Sequence, residues 1–180
     1  MAKKRTSTTD ITAESKTVSV LLTKQPGLFA KMSRFFVGGK YSHASIGLSD
    51  DKNTFFSFNT KRGFCVEKPI KKRRKNPCAL YQVQVPLESY EDIVARIEDF
   101  QNHAHQYSYS FMGVIFCLLH IPVRRKNRYF CSQFVSELLV LSGAVKLRKR
   151  PSLYRPKHFS KEPEFTLRYQ GSLCGLCEAA

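Results

Sequence analysis

The stretch at residues 41–60, "YSHASIGLSDDKNTFFSFNT", has the pattern that decides the fold. Two runs of alternating residues flank the polar segment "SDDKN". One face of the first run is apolar and is formed by Ala44, Ile46 and Leu48. The opposite face is formed by His43, Ser45 and Gly47. Successive side chains of a strand point to opposite faces, so this pattern predicts a β-hairpin with its apolar face toward a core.

The other face of the hairpin gives His43 free space and polar neighbours. Its flanking residues Ser45 and Gly47 are small, so a helix terminus can approach the imidazole. A five-residue loop would place His43 opposite Asn59, and a three-residue loop would place it opposite Ser57. In either register Ser57 and Asn59 share the face of the histidine. We therefore take both as candidates for a group that orients the imidazole by hydrogen bonding.

A second stretch, "YFCSQFVSELLVLSG" at 129–143, places a cysteine at the start of a predicted helix. The apolar residues follow helical spacing, and Gly143 predicts the end of the helix. In the first turn, the thiol of Cys131 would meet the positive end of the helix dipole and backbone N–H groups without intrahelical partners. These features favour a thiolate and an oxyanion, so Cys131 is a candidate nucleophile with His43 as its base. The alternative is a small buried structural thiol.

The remaining patterns predict a mixed α+β domain. Strands are expected at 17–23, at 78–86 and within "EFTLRYQGSL". Helices are expected at 27–36, from a Ser89/Asp92 capping box onward, and at 111–121 before Pro122. The predicted architecture is an antiparallel sheet or half-barrel packed against helices that include the helix of Cys131. Residues 1–16 are expected to form a flexible N-terminal tail, 17–170 the domain, and 171–180 a C-terminal tail.

Composition limits the classes of function. The chain has 180 residues and a net charge of +16, which favours an anionic partner such as an acidic membrane surface. Nucleic acid is disfavoured because no aromatic RNA-recognition signature is present. Six irregularly spaced cysteines and an N-terminus without an apolar signal core predict a reduced, cytoplasmic protein. The "CGLC" pair, Cys174 and Cys177, lacks a second ligand pair at matching spacing, so we expect neither a metal nor a cofactor. The composition leaves the oligomeric state open.

The segments "YSHASIGL" and "FCSQFVSELL" resemble the circularly permuted papain-like families. These include permuted NlpC-type cysteine amidases and, more distantly, the lecithin:retinol acyltransferase group. The resemblance covers about residues 17–170 and implies a permuted papain-like fold, with His43 as base and Cys131 as nucleophile. It also implies a third residue, usually Glu, His, Asn or Gln, on the strand after the histidine, where this chain has Ser57 and Asn59.

The function expected from this resemblance is a hydrolase that cleaves an amide or peptide-like bond through an acyl-enzyme on Cys131. Two alternatives stay open. One is a lipid acyl hydrolase or acyltransferase at anionic membranes, in which the apolar 111–121 segment lines an acyl groove. The other is a catalytically silent binding module with the same fold.

Overall fold

The strands and helices were assigned in a computed structural model that describes residues 14–24, 40–49, 51, 53–68 and 75–179, the last three without their side chains. The predicted helix at 27–36 lies outside these residues. The described chain has the strands β1 (Ser15–Thr23), β2 (His43–Leu48), β3 (Phe55–Asn59), β4 (Gly63–Glu67), β5 (Pro77–Pro86), β6 (Ser108–Tyr109), β7 (Arg128–Tyr129) and β8 (Thr166–Ser172).

Six of these strands form one antiparallel sheet within the described residues, in the order β4-β3-β2-β1-β5-β8. The predicted hairpin is confirmed: Ile46 pairs with Phe56, and Gly47 pairs with Phe55. This register corresponds to the five-residue loop and, continued along the strands, sets His43 opposite Asn59. Strand β4 was missing from the sequence-based prediction and extends the sheet beyond the hairpin.

The helices of the described chain are α1 (Leu87–Asn102), α2 (Phe111–Leu118), α3 (Cys131–Leu141), α4 (Pro156–Phe159) and α5 (Leu173–Ala179). Helix α1 begins two residues before Ser89, with Pro86 as its N-cap and no side-chain cap, so the predicted capping box is wrong. Helix α3 ends as predicted, because Gly143 follows its C-cap in the left-handed conformation, with φ of 70°.

The main core lies between one face of the sheet and helices α1 and α3. It combines the strand residues Val20, Leu22, Ile46 and Phe58 with the helix residues Ile93, Ile97, Phe134 and Leu139. All of these are at most 1 % exposed. Burial of a side chain of this size stabilises the fold by about 1.5–3 kcal/mol, which is what holds the Cys131 helix against the hairpin.

A second, smaller core covers part of the opposite face of the sheet. Leu173 and Leu176 of α5 pack there with Leu21, Phe55 and Cys78. Residues 171–180 were expected to form a tail, but they contain the end of β8 and this helix. Residues 15 and 16, also assigned to a tail, belong to β1.

The described part of the chain is thus a mixed α+β structure with a six-stranded antiparallel sheet, as the patterns predicted. Within the same residues, no helix has the length and apolar character needed to cross a bilayer.

Candidate active site

Cys131 is the first residue of α3 and is buried, with 4 % of its surface exposed. The preceding residue, Phe130, is extended and serves as N-cap without a side-chain hydrogen bond. The first intrahelical bond runs from the N–H of Phe134 to the carbonyl of Phe130. The N–H groups of residues 131–133 therefore have no partner within the helix, and they belong to the same turn as the thiol.

Three contacts fix the start of this helix. The strand before it, β7, pairs in parallel with β6, so the chain enters α3 in a defined direction. The Ser132 hydroxyl donates to the Tyr154 carbonyl at 2.7 Å. The Ser136 hydroxyl in turn donates to the Ser132 carbonyl at 2.8 Å. Because these hydroxyls are buried and paired, the position of Cys131 is set by the fold and not by its own side chain.

His43 is the first residue of β2 and is only 2 % exposed. It pairs with Thr23 of β1, and the neighbouring Ser42 N–H donates to the Thr23 carbonyl at 3.0 Å. Interaction with the Cys131 side chain is one of the effects that raise the pKa of the imidazole, so the two side chains lie near each other. The structure therefore brings together the two residues that the sequence predicted as nucleophile and base.

The third member of this cluster is Glu67, at the end of β4. Its two carboxylate oxygens each lie 3.1 Å from Nε2 of His43. Strand β3 separates β4 from β2, so the contact crosses an intervening strand. With Nε2 held by the carboxylate, Nδ1 is the ring nitrogen left for the thiol.

Ser57 and Asn59, the predicted orienting residues, make their hydrogen bonds elsewhere. The Ser57 hydroxyl is fully buried and donates to the Ala44 carbonyl at 2.7 Å, which ties β3 to β2. The Asn59 side-chain oxygen accepts from the backbone N–H groups of Lys61 and Arg62, at 3.0 and 2.8 Å. Asn59 thus stabilises the β3–β4 turn. The predictions for these two residues are corrected in favour of Glu67.

The environment of His43 favours its charged form. Burial lowers its pKa, but the negative charge of Glu67 and hydrogen bonds with Cys131 and Glu67 outweigh that effect and raise it from 6.5 to about 10. The histidine is therefore an imidazolium paired with a carboxylate at neutral pH. Such a pair holds the ring in one orientation, through the contact of Nε2 with Glu67.

A small cavity of about 10 Å³ adjoins Cys131, which is space for about one water molecule. Its walls include Tyr109, Val114, Cys117, Leu118, Ser132 and Arg155. Burial raises the pKa of Tyr109, and negative charge on Cys131 would raise it further, so its hydroxyl stays protonated at neutral pH. A protonated hydroxyl beside the nucleophile can donate to a developing oxyanion.

Arg155 gives this cavity a positive wall. Burial raises the pKa of the Cys117 thiol to about 11, and the positive charges of Arg155 and Lys149 act against that rise. Of these two residues, Arg155 lines the cavity next to Cys131. An acyl group that carries a negative charge fits this wall better than a cationic one.

A larger cavity, of about 450 Å³, lies between α1 and α3 away from Cys131 and His43. The ion pair between Arg124 and Glu137, at 2.6 Å, forms part of its wall. Its walls contain no thiol. The small cavity is the better candidate site, because Cys131 lines it.

Comparison of the chain with known proteins gives no match. No protein-family model matches it, and no curated protein or solved structure is significantly similar to it. The interpretation of the site therefore depends on the residues and their geometry.

Two site residues escaped prediction, and each had a weak signal. Glu67 follows a turn, "NTKRG", and a short alternating run, "FCVE", which together indicate one more strand. Tyr109 lies in a strand of only two residues, which leaves no periodicity to detect.

Of the "CGLC" pair, the structure describes the side chain of Cys174. Cys174 is half-buried in α5, and the side chain of Cys177 lies outside the described ones. Within the described side chains, no group of three or more His, Cys, Asp and Glu is arranged to hold a metal ion.

Proposed function

We propose that this chain is a cysteine-dependent hydrolase with a permuted papain-like, NlpC-type fold, which cleaves an amide or peptide-like bond. The observation that carries this proposal is the buried imidazole of His43, which is hydrogen-bonded to Glu67 and lies near Cys131 at a helix N-terminus. A nucleophile, a base and an orienting carboxylate in this order form a complete acyl-transfer triad.

In the first half of the reaction, Sγ of Cys131 attacks the carbonyl carbon of the substrate as a thiolate paired with the imidazolium of His43. The carbonyl oxygen becomes an oxyanion, which the N–H groups at the start of α3 and the Tyr109 hydroxyl stabilise. The C–N bond then breaks as the imidazolium of His43 gives its proton to the leaving amine. The product is a thioester between Cys131 and the acyl group.

In the second half, His43 takes a proton from water and the resulting hydroxide attacks the thioester carbonyl. The C–S bond breaks, the carboxylic acid leaves, and the pair of Cys131 thiolate and His43 imidazolium is restored. Glu67 supplies the constant negative charge that supports the imidazolium in both halves. A positive wall at Arg155 favours acyl groups that carry negative charge.

A thiol-directed electrophilic probe tests the triad. We expect rapid labelling of Cys131 in the folded protein, loss of labelling in Cys131→Ala, and at least about tenfold slower labelling in His43→Ala. Cys117→Ala is the matched control, because Cys117 is a buried thiol in the wall of the same cavity. If Cys131 reacts no faster than a thiol of the unfolded chain, the protein is a binding module without catalysis.

Hydrolysis itself is tested with a panel of N-acyl amino acids and peptides in ¹⁸O-labelled water. The mechanism requires one labelled oxygen in the released acid and none in the amine. Turnover that persists in Cys131→Ala would contradict the mechanism.

The apolar wall of the cavity favours a second candidate, lipid acyl hydrolysis or transfer. Val114 and Leu118 of α2 lie beside Cys131, where an acyl chain would have to pass. Intact mass of the protein after incubation with phospholipid vesicles distinguishes the two chemistries. A fatty-acyl adduct on Cys131 would favour lipid chemistry over amide cleavage.

A further inference from the structure

Helix α2 presents an apolar face to solvent. Phe111, Met112, Ile115 and Leu119 are 45, 44, 41 and 62 % exposed. At ~100° per residue these positions fall within an arc of about 100°, so they form one continuous stripe. We call these four residues the α2 stripe. The buried residues of the same helix, Gly113, Val114 and Cys117, lie on the opposite side.

Helix α1, which also lies at the surface, exposes charged residues. The outward positions of α1 include Glu88, Glu91, Glu98 and Asp99. Helix α2 has no charged residue at all. An exposed helix face that is wholly apolar marks an interaction site, because scattered surface hydrophobics would alternate with polar residues.

The end of α2 extends the apolar surface. His120 takes the left-handed conformation, with φ of 60°, and its N–H donates to the Cys117 carbonyl. The Ile121 N–H donates back to the Phe116 carbonyl at 2.9 Å, which completes a helix-ending Schellman motif. This turn holds Ile121, 43 % exposed, directly after the stripe.

Positive charge follows the stripe at once. The next exposed residues include Arg124, Arg125, Lys126 and Arg128. Between Asp99 and Glu137 the sequence contains no acidic residue. Glu137 pairs with Arg124, so the other three basic residues form an excess of positive charge beside an apolar face. This combination complements a surface that is both apolar and anionic.

The occupant we infer is an anionic lipid bilayer. We propose that α2 and the turn after it dock on such a membrane, with the α2 stripe in the acyl boundary and Arg125, Lys126 and Arg128 at the lipid phosphates. A second copy of this chain fits less well, because two chains of charge +16 repel each other. The docking does not depend on the proposed hydrolase activity.

Docking would also place the membrane next to α2, which forms part of the wall of the cavity beside Cys131. The inward side of α2, at Val114, Cys117 and Leu118, lines the cavity beside Cys131. The same helix therefore faces the bilayer on one side and the nucleophile on the other. A displacement of α2 on the membrane would widen a cavity that now holds about one water molecule.

The chain has no tryptophan, so a single introduced one reports on its own position. In Ile115→Trp we expect a blue-shifted, stronger emission with vesicles of phosphatidylcholine containing about one third phosphatidylserine, and no change with phosphatidylcholine alone. High salt should reverse the shift. Leu167→Trp is the control: Leu167 is 46 % exposed on β8, and its emission should not respond to vesicles.

Vesicle sedimentation measures the contribution of each part. Met112→Gln/Ile115→Gln should weaken binding at least tenfold, whereas Leu141→Gln/Leu167→Gln, at similarly exposed apolar positions, should leave it unchanged. Arg125→Gln and Lys126→Gln should each weaken binding about fivefold. Circular dichroism checks that the variants are folded.

Three outcomes would overturn the proposal: equal binding by both double variants, equal binding to neutral and anionic vesicles, or a blue shift without vesicles that grows with protein concentration. The last would assign the stripe to self-association. Cys131→Ala should bind vesicles as the wild type does, so a failure of the triad does not count against the docking.

Discussion

Nε2 of His43 lies 3.1 Å from each carboxylate oxygen of Glu67, and the pair joins the first residue of β2 to the last residue of β4 across an intervening strand. The histidine side chain is 3 % exposed and the glutamate side chain 19 %. A carboxylate that is partly desolvated and equidistant on both oxygens fixes the plane of the ring, which in turn fixes the direction of Nδ1. Glu67 is therefore a positioning residue for the candidate base.

Replacement of Glu67 by Gln should lower turnover by about 10²-fold or more, because the imidazolium loses its charge partner while the shape of the site is kept. The measurement is kcat on the best amide substrate of the panel. Ser57→Ala and Asn59→Ala are the controls. They should keep turnover and lose only about 0.5–1.5 kcal/mol of stability for each hydrogen bond removed. Equal loss of turnover in all three variants would remove the special role of Glu67.

The protonation of His43 should respond to the same substitution. Its pKa is raised to about 10 in the folded chain, so its contribution to stability is complete below pH 6.5 and is lost as pH rises toward 10. NMR titration of the ring protons, assigned by comparison with His43→Gln, should show an alkaline transition. In Glu67→Gln burial acts without the carboxylate, and we expect a lower pKa. A transition near 6.5 in both proteins would contradict the ion pair.

Tyr109 should contribute through its hydroxyl alone. Tyr109→Phe removes the donor but keeps the ring that packs in the cavity wall, so kcat should fall about 10²-fold with KM little changed. The melting temperature should stay close to that of the wild type. A change in KM alone would indicate a role in substrate binding and not in stabilising the oxyanion.

Two glycines with positive φ, Gly63 at the turn before β4 and Gly143 after α3, allow the effect of an added Cβ to be compared. At Gly143, with φ of 70°, an added Cβ would lie 3.9 Å from its nearest neighbour, the Ser89 hydroxyl oxygen. Gly143→Ala should therefore cost only about 1–2 kcal/mol of backbone strain. At Gly63, with φ of 68°, a Cβ would lie 2.4 Å from the Tyr107 carbonyl oxygen. Gly63→Ala should lower the free energy of unfolding, measured with urea, by clearly more than Gly143→Ala does. It should also displace Glu67. Equal costs would show that the turn relaxes freely.

His158 should make the fold sensitive to acid. Burial, together with the positive charges of Lys149, Arg155, Lys157 and Lys161, lowers its pKa from 6.5 to about 4. Its Nδ1 accepts the Arg155 N–H at 3.0 Å and must stay unprotonated to do so. The free energy of unfolding should therefore fall as pH drops from 6.5 toward 4. In His158→Gln the fall over this window should be smaller. An unchanged pH profile would contradict the assignment.

The local patterns of the sequence were sufficient to predict the hairpin, the helix of Cys131 and the candidate pair His43 and Cys131. Side-chain direction alternates along a strand and repeats along a helix, so the face of His43 and the first-turn position of Cys131 follow from spacing alone. The α+β class follows in the same way from the order of the elements.

The orienting residue Glu67 and the C-terminal helix α5 could be identified only from the tertiary structure. Glu67 is two strands away from His43, and its reach depends on the order of the sheet and on β4, which local periodicity indicated only weakly. Leu173 and Leu176 form a helical face only because Leu21 and Phe55 are there to cover it. Spacing along the chain specifies which way a side chain points, whereas contact between distant side chains depends on how whole strands and helices pack.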